Sequence, residues 1–291
     1  MVLIKNKIMM KTKNLTTVIF FFFLILSRFS AMAQESNLNE ERTLLASSSK
    51  RTELSPATDL TPQEIERIIN RINPYTLFRK GSIAEYAFEK DGKQIKFLGG
   101  PTYIQEVVVD EKIEDGLLVA YTNSLFLNKK HTPLKGLDKS LKEQLFPTTI
   151  DTAGTYYFTH NIHQDCKVIS KRQGFAMVIP SNMKVGDNIS CNSITDLCKN
   201  GFGMEILKFT TQYSDFTVEK EETVSTPAGA FDCVKLTGWV HEGRPGKDFK
   251  YHYAMWLARG IGIVKLEILT ENEKRKNKAP FIIYLNHIEL K

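Results

Sequence analysis

The sequence predicts an all-β protein, an antiparallel meander curled into a half-barrel or incomplete barrel behind a short N-terminal amphipathic helix. Three observations carry that expectation. From Tyr75 onward, short runs rich in Val, Ile, Phe, Tyr and Thr alternate with turn residues, as strands of an antiparallel sheet do. Asp91-Gly92 and Asp115-Gly116 each sit between two such runs and suit tight hairpins, because Asp and Gly tolerate positive φ. The alternating helices that a parallel sheet demands as crossovers are absent. A sheet of so many strands twists and must bury one face, so it curls.

The elements follow in chain order. Thr61 can cap a helix, Pro62 suits its first position and Glu64 completes a capping box. Ile65, Ile68, Ile69 and Ile72 fall on one face at helical spacing, and Asn73-Pro74 closes the helix because a residue before proline disfavours helical geometry. Strands are expected over residues 82–90 and 93–98, 103–110 and 117–127, 155–162, 167–179, 203–213, 216–224, 231–241, 249–258, 262–269 and 281–290. Residues 131–146 break the run, with Leu137, Leu141 and Leu145 spaced for a second helix or a lid-like loop.

Ahead of this domain the chain reads as an export signal. Lys5, Lys7, Lys11 and Lys13 precede an apolar run over residues 18–26, and Ala31-Met32-Ala33 supplies a small-x-small cleavage site. The run is shorter than the ~20 residues that span a bilayer. The expected organisation is a signal peptide over 1–33, a flexible polar leader over 34–59 and one β-rich domain over 60–291, with translation starting at Met1 or Met10. The expected product is periplasmic or secreted, and soluble without an integral membrane segment once cleaved. The first cysteine, Cys166, lies too far downstream to serve as a lipoprotein cysteine.

Charge narrows the partners. The 291-residue chain carries a formal +6, of which Lys5, Lys7, Lys11, Lys13 and Arg28 leave with the signal, so the mature chain is close to neutral and has no global field to steer nucleic acid. The one dense basic stretch, Lys274-Arg275-Lys276-Asn277-Lys278, reads as a solvated hairpin loop. Cys166, Cys191, Cys198 and Cys233 make an even number in an exported chain, so oxidised pairs are expected. Three pairings are open. Cys191 and Cys198 bracket a polar segment that reads as a loop short enough to close locally, which would leave Cys166 for Cys233.

The carboxyl-terminal half carries three phrases in order: Pro180-Ser181-Asn182-Met183-Lys184-Val185-Gly186-Asp187, Thr226-Pro227-Ala228-Gly229-Ala230-Phe231-Asp232-Cys233, and Trp256-Leu257-Ala258-Arg259-Gly260-Ile261-Gly262-Ile263-Val264-Lys265. With Asn73-Pro74-Tyr75 they resemble the exported bacterial proteins grouped as TapB-type, or domain-of-unknown-function-3108-like, over residues 73–291. The resemblance implies a meandering sheet rolled into a half-barrel in cell-envelope proteins, and it brings no catalytic residues.

Chemistry-bearing motifs are few. Gly201-Phe202-Gly203 and Gly260-Ile261-Gly262 lack the third glycine and following helix of a phosphate loop, and no cofactor is expected. His160, His163 and Cys166 group potential metal donors, but on an extended segment the two imidazoles point to opposite faces, so no metal site is assigned. Neither a Gly-x-Ser-x-Gly elbow nor a His-Glu-x-x-His motif occurs, and no catalytic residue is assigned. The expectation is a non-catalytic envelope protein that takes a lipid-like or other amphipathic small ligand on the concave side of its sheet, with Tyr86, Phe88, Tyr251, Tyr253 and Trp256 as candidate lining. The alternative is a structural or adaptor protein contacting an envelope partner, and a hydrolase stands behind both.

Overall fold

A computed structural model describes residues 61–96, 100–114, 117–134, 145–151, 154–158, 168–199, 205–244, 247–276 and 278–291. The elements are α1 (Pro62–Ile72), β1 (Ile83–Lys90), β2 (Lys93–Ile95), β3 (Tyr103–Glu114), β4 (Leu117–Leu127), β5 (Leu145–Ile150), β6 (Tyr156–Phe158), β7 (Val168–Gly174), β8 (Met177–Ile179), β9 (Ser190–Cys191), β10 (Ser193–Lys199), β11 (Glu205–Thr226), β12 (Gly229–Arg244), β13 (Lys247–Ala258), β14 (Gly262–Thr270), α2 (Glu271–Arg275) and β15 (Phe281–Glu289).

All fifteen strands belong to one antiparallel sheet. Its order is β7-β10-β11-β12-β13-β14-β15-β1-β3-β4-β5-β6-β8-β9, with β2 paired to β1. Beyond β8 the path returns to β11. Gly186 and Ile189 N–H donate to the Val218 and Phe216 carbonyls at 2.8 Å, Val218 donates to Asp187 at 2.9 Å, and Tyr213 donates to Asn192 at 2.9 Å. The fold-back rests on these bonds rather than a continuous ladder, so the sheet is curled but not closed into a barrel. This is the expected fold class.

Local sequence explains most elements. Thr61 accepts from Glu64 N–H, Glu64 returns the capping box, and Asn73 ends α1 in the left-handed region at φ 53°. Asp91 and Gly92 both take positive φ, 53° and 72°, as the two-residue turn between β1 and β2 requires. The expected strand over 167–179 is two strands instead. Gly174 (φ +77°) ends the first where a Cβ would meet the Ser193 carbonyl oxygen at 2.3 Å. The strands expected over 203–213 and 216–224 run together from Glu205 as β11, with a register shift at Ser214/Thr217 and Asp215 at φ 56°, and residues 203–204 lie outside the described residues. The basic stretch is no hairpin loop at its start, since Lys274 and Arg275 close the helix α2, capped by Thr270 and Glu273. Of the expected helix or lid over 131–146, residues 135–144 lie outside the described residues, and Leu145-Phe146 begin β5.

The disulfide expectation is corrected. Cys191 and Cys233 carry free thiols, which rules out both Cys191–Cys198 and Cys166–Cys233. The segment between Cys191 and Cys198 is the strand β10 rather than a loop. Seven extended residues span roughly 23 Å, far beyond the ~7 Å that a disulfide tolerates between Cα atoms. Cys198 is itself disulfide-bonded, and Cys166 lies outside the described residues.

The main core fills the concave face where β8, β10, β11, β12 and β13 meet, with Met177, Ile194, Phe216, Leu236, Met255 and Leu257 essentially buried. Phe216 lies on the bare backbone of Gly238, where a Cβ would stand 2.4 Å from its ring. A second core forms where Ile65 and Ile69 of α1 pack with Phe78 against Val108, Leu118, Ala120 and Ile150. The strand period places Leu118 and Ala120 on the same face of β4 as Thr122 and Ser124, so α1 covers one end of a concave strip that continues beyond it.

Candidate ligand cavity

Beyond α1 the concave strip leaves a cavity of about 90 Å³. Sheet order divides its wall. The adjacent strands β14, β15 and β1 contribute Ile263, Leu266, Ile283, Tyr86 and Phe88, and the turn before β14 adds Ile261. The adjacent strands β3, β4, β5 and β6 contribute Glu106, Thr122, Ser124, Thr148 and Tyr156, with Ile104 and Phe146 among them, and Arg172 reaches in from β7. One wall is thus mostly apolar and the other is rich in hydroxyls and charge.

Arg172 is held from behind. It pairs across the ladder with Asp196 of β10, donating from Nε to Oδ1 at 2.7 Å and from a terminal nitrogen to Oδ2 at 2.9 Å. Asp196 is fully buried, and the guanidinium also stands 5.3 Å from the Phe146 ring centroid. A fork of this kind fixes the planar guanidinium in direction and neutralises its charge locally. Glu106 adds a second carboxylate to the lining. Burial drives the Tyr86 and Tyr156 phenols far above their ordinary range, and the Glu106 charge pushes both the same way, while the Thr76 hydroxyl bonded to Tyr156 opposes the rise. Both tyrosines therefore remain protonated hydrogen-bonding groups at any physiological pH.

The sequence candidates separate in space. Tyr86 and Phe88 stand in the cavity wall. Tyr253 packs against the main core, and Tyr251 shares its face of β13 without lining the cavity. Trp256 points to the other face, packed with Cys233, Ala254, Ala258 and Val264, and its indole N–H donates to Glu222 at 2.7 Å. His160 and His163 lie outside the described residues. His131 meets the buried Glu85 at 2.9 Å from Nδ1, Asn286 holds the other carboxylate oxygen at 2.8 Å, and the imidazole stacks on Tyr103 at 4.3 Å. That cluster fastens the turn after β4 to β1 and β15. Among the described residues no group of three or more His, Cys, Asp or Glu side chains is arranged to hold a metal ion.

Glu106, Arg172 and Asp196 are the groups that sequence reasoning missed. Asp196 left a signal, since in Ile194-Thr195-Asp196-Leu197-Cys198 it shares the inward parity of two buried apolar residues.

A segment from the end of β5 to just past α2 carries the likeness to known proteins. Residues 149–278 match the DUF3108-like family. The family segment includes Tyr156, Arg172 and residues 261–263 of the cavity, while β1, β3 and β4 precede it. Two solved structures share the fold. One is a protein with YmcC-like fold from Bacteroides fragilis, described as exported, at 17% identity and TM-score 0.52 over 74% of this chain and 98% of that one. The other is described as a lipoprotein from Parabacteroides distasonis, at 12% identity and TM-score 0.52 over 75% and 99%. No curated protein matches the chain at a significant level.

The phrases that carried the resemblance are joined by packing. Gly260 N–H donates to the Pro74 carbonyl at 2.7 Å, Arg259 covers the Tyr75 ring at 4.6 Å, and a Cβ on Gly260 would meet Asn73 Oδ1 at 2.5 Å. Gly262 (φ +94°) lies 3.5 Å from the Thr76 backbone, measured from the Cβ it lacks. Asn73-Pro74-Tyr75 and Arg259-Gly260-Ile261-Gly262 therefore form one docked joint beside the cavity.

Proposed function

We propose that the chain is an exported, non-catalytic envelope protein whose concave cavity holds the polar end of a small amphipathic ligand. The observation that carries this reading is the divided lining: an apolar wall from β14, β15 and β1 faces a polar wall from β3 to β7. The signal-like first 33 residues and the descriptions of the two structural neighbours support export. At about 90 Å³ the cavity is well below the ~300–1,000 Å³ of pockets that enclose a drug-sized molecule, so it holds a head group and the first carbons of a chain.

Hydroxyls select the head. Arg172 is held by Asp196, and the polar wall offers the hydroxyls of Thr122, Ser124, Thr148 and Tyr156. A neutral, hydroxyl-bearing head matches that wall. The large apolar side chains exposed among the described residues, Val109, Leu145, Val185 and Leu290, sit on separate segments, so the cavity outweighs an apolar docking patch as the seat of function.

Titration with a short-chain monoacylglycerol and with the fatty acid of equal chain length, followed by calorimetry, tests the reading. Tighter binding of the monoacylglycerol is the expected result. Equal or absent binding of both would refute it.

A further inference from the structure

The outer face of the sheet carries a cluster that the cavity does not use. Trp239 of β12 has the Lys250 ammonium of β13 4.6 Å from its ring centroid and the Lys274 ammonium of α2 4.9 Å from it. His252 of β13, its cross-strand neighbour, meets the indole edge-on at 5.2 Å. Of the basic stretch in the sequence, it is Lys274 that α2 turns onto this face, while Arg275 pairs with Glu271 at 2.7 Å.

The other tryptophan shows what a satisfied version looks like. Trp256 also has two lysines over its ring, Lys235 at 5.1 Å and Lys265 at 4.7 Å, but Lys235 is bonded to Glu219 at 2.9 Å and Lys265 to Glu267 at 2.7 Å. No carboxylate of the described residues pairs with Lys250 or Lys274. The only acidic influence on Lys274 is Glu219, which Lys235 already holds. Positive charge therefore accumulates around one indole without a counter-ion. The titrating groups register it: burial lowers the His252 pKa, and Lys274 and then Lys235 lower it further, while burial lowers that of Lys274. Asp248, Lys250 and His252 share one face of β13, His241 stands opposite Lys250 on β12, and Lys235 on β12, Lys274 on α2 and Glu219 on β11 also bear on the cluster.

We propose that Trp239, Lys250, His252 and Lys274 form an anion site on the outer face that takes a phosphate group, presented by a soluble phosphate ester or by a phospholipid head. Two ammonium groups and a protonatable imidazole supply charge-assisted hydrogen bonds, and the indole excludes water from one side. An anion there relieves the mutual repulsion of the cations, so binding raises the His252 pKa and takes up protons.

The test uses the mature chain carrying Trp256→Phe, so that Trp239 is its one indole, titrated with inorganic phosphate against chloride at matched ionic strength. The expected result is a saturable change in Trp239 fluorescence and an upward shift of the His252 imidazole titration by NMR. Both weaken by roughly tenfold or more in Lys250→Gln/Lys274→Gln, and neither changes in Lys220→Gln, a lysine bonded to Glu222. A parallel arm sediments the protein with vesicles of phosphatidylcholine with and without phosphatidylglycerol. Co-sedimentation with the anionic vesicles that phosphate reverses assigns the phosphate to a lipid head, and saturable phosphate binding without co-sedimentation assigns it to a soluble ester. Phosphate acting no differently from chloride, or binding that survives the double lysine variant, would overturn the proposal.

Discussion

Asp196 is fully buried, and two short hydrogen bonds to Arg172 are what make its burial tolerable. Removing one partner breaks a buried, hydrogen-bonded ion pair, at a cost of about 3–5 kcal/mol. Asp196→Ala should therefore lower the free energy of urea unfolding by that order. At this scale the sequence was only partly readable. Tyr86 and Phe88 could be placed on the concave side by alternation, but Asp196 comes from a strand that the polar composition around residues 192–197 disguised as a loop, and the expected strand over 167–179 did not reveal that Arg172 faces the cavity. The thiols give a second check. The Cys233 thiol is pushed up to about 12, first by burial and then by Asp232 and Glu222, and burial also raises Cys191. Both should resist iodoacetamide in the native protein and react once it is denatured without reductant, with peptide mapping placing the label on Cys191 and Cys233.

Helix boundaries were legible at the level of elements because capping is local chemistry. Thr61-Pro62-Gln63-Glu64 states its helix in four residues, and the structure returns both halves of the capping box. Ile69 is completely buried where that helix meets β3, β4 and β5, so Ile69→Ala should cost about 2–5 kcal/mol by chemical denaturation. The short helix α2 was hidden, since five residues give no periodicity to read, and a long-range ion pair from Lys90 to Glu273 at 2.9 Å anchors it. That bond, followed by the Thr270 backbone, lowers the Glu273 carboxyl to about 2. A depressed carboxylate stabilises the fold above its unfolded value of about 4.3 and loses that contribution as pH falls through about 2. The stability difference between the wild type and Lys90→Ala should accordingly be full near neutrality and shrink across that acid window.

At the scale of the whole molecule, the curl of the sheet leaves a cavity on its concave side. Alternation and hairpin turns foretold a curled antiparallel sheet, because period-2 patterning records which face is buried. They could not foretell the fold-back of residues 186–192 onto β11, or the docking of Asn73-Pro74-Tyr75 on Arg259-Gly260, since those contacts join segments far apart in sequence. The same long-range geometry gathers β14, β15 and β1 opposite β3 to β7 and so creates the two-sided lining. The central claim is that this lining holds a ligand. Native mass spectrometry of the mature protein, isolated from its own envelope without detergent and compared with Ser124→Trp, which fills the cavity from β4, tests it most directly. An added mass in the wild type that vanishes on denaturation and is lost from a folded Ser124→Trp would bear the account out. A bare wild-type mass, or an adduct that persists with the cavity filled, would contradict it.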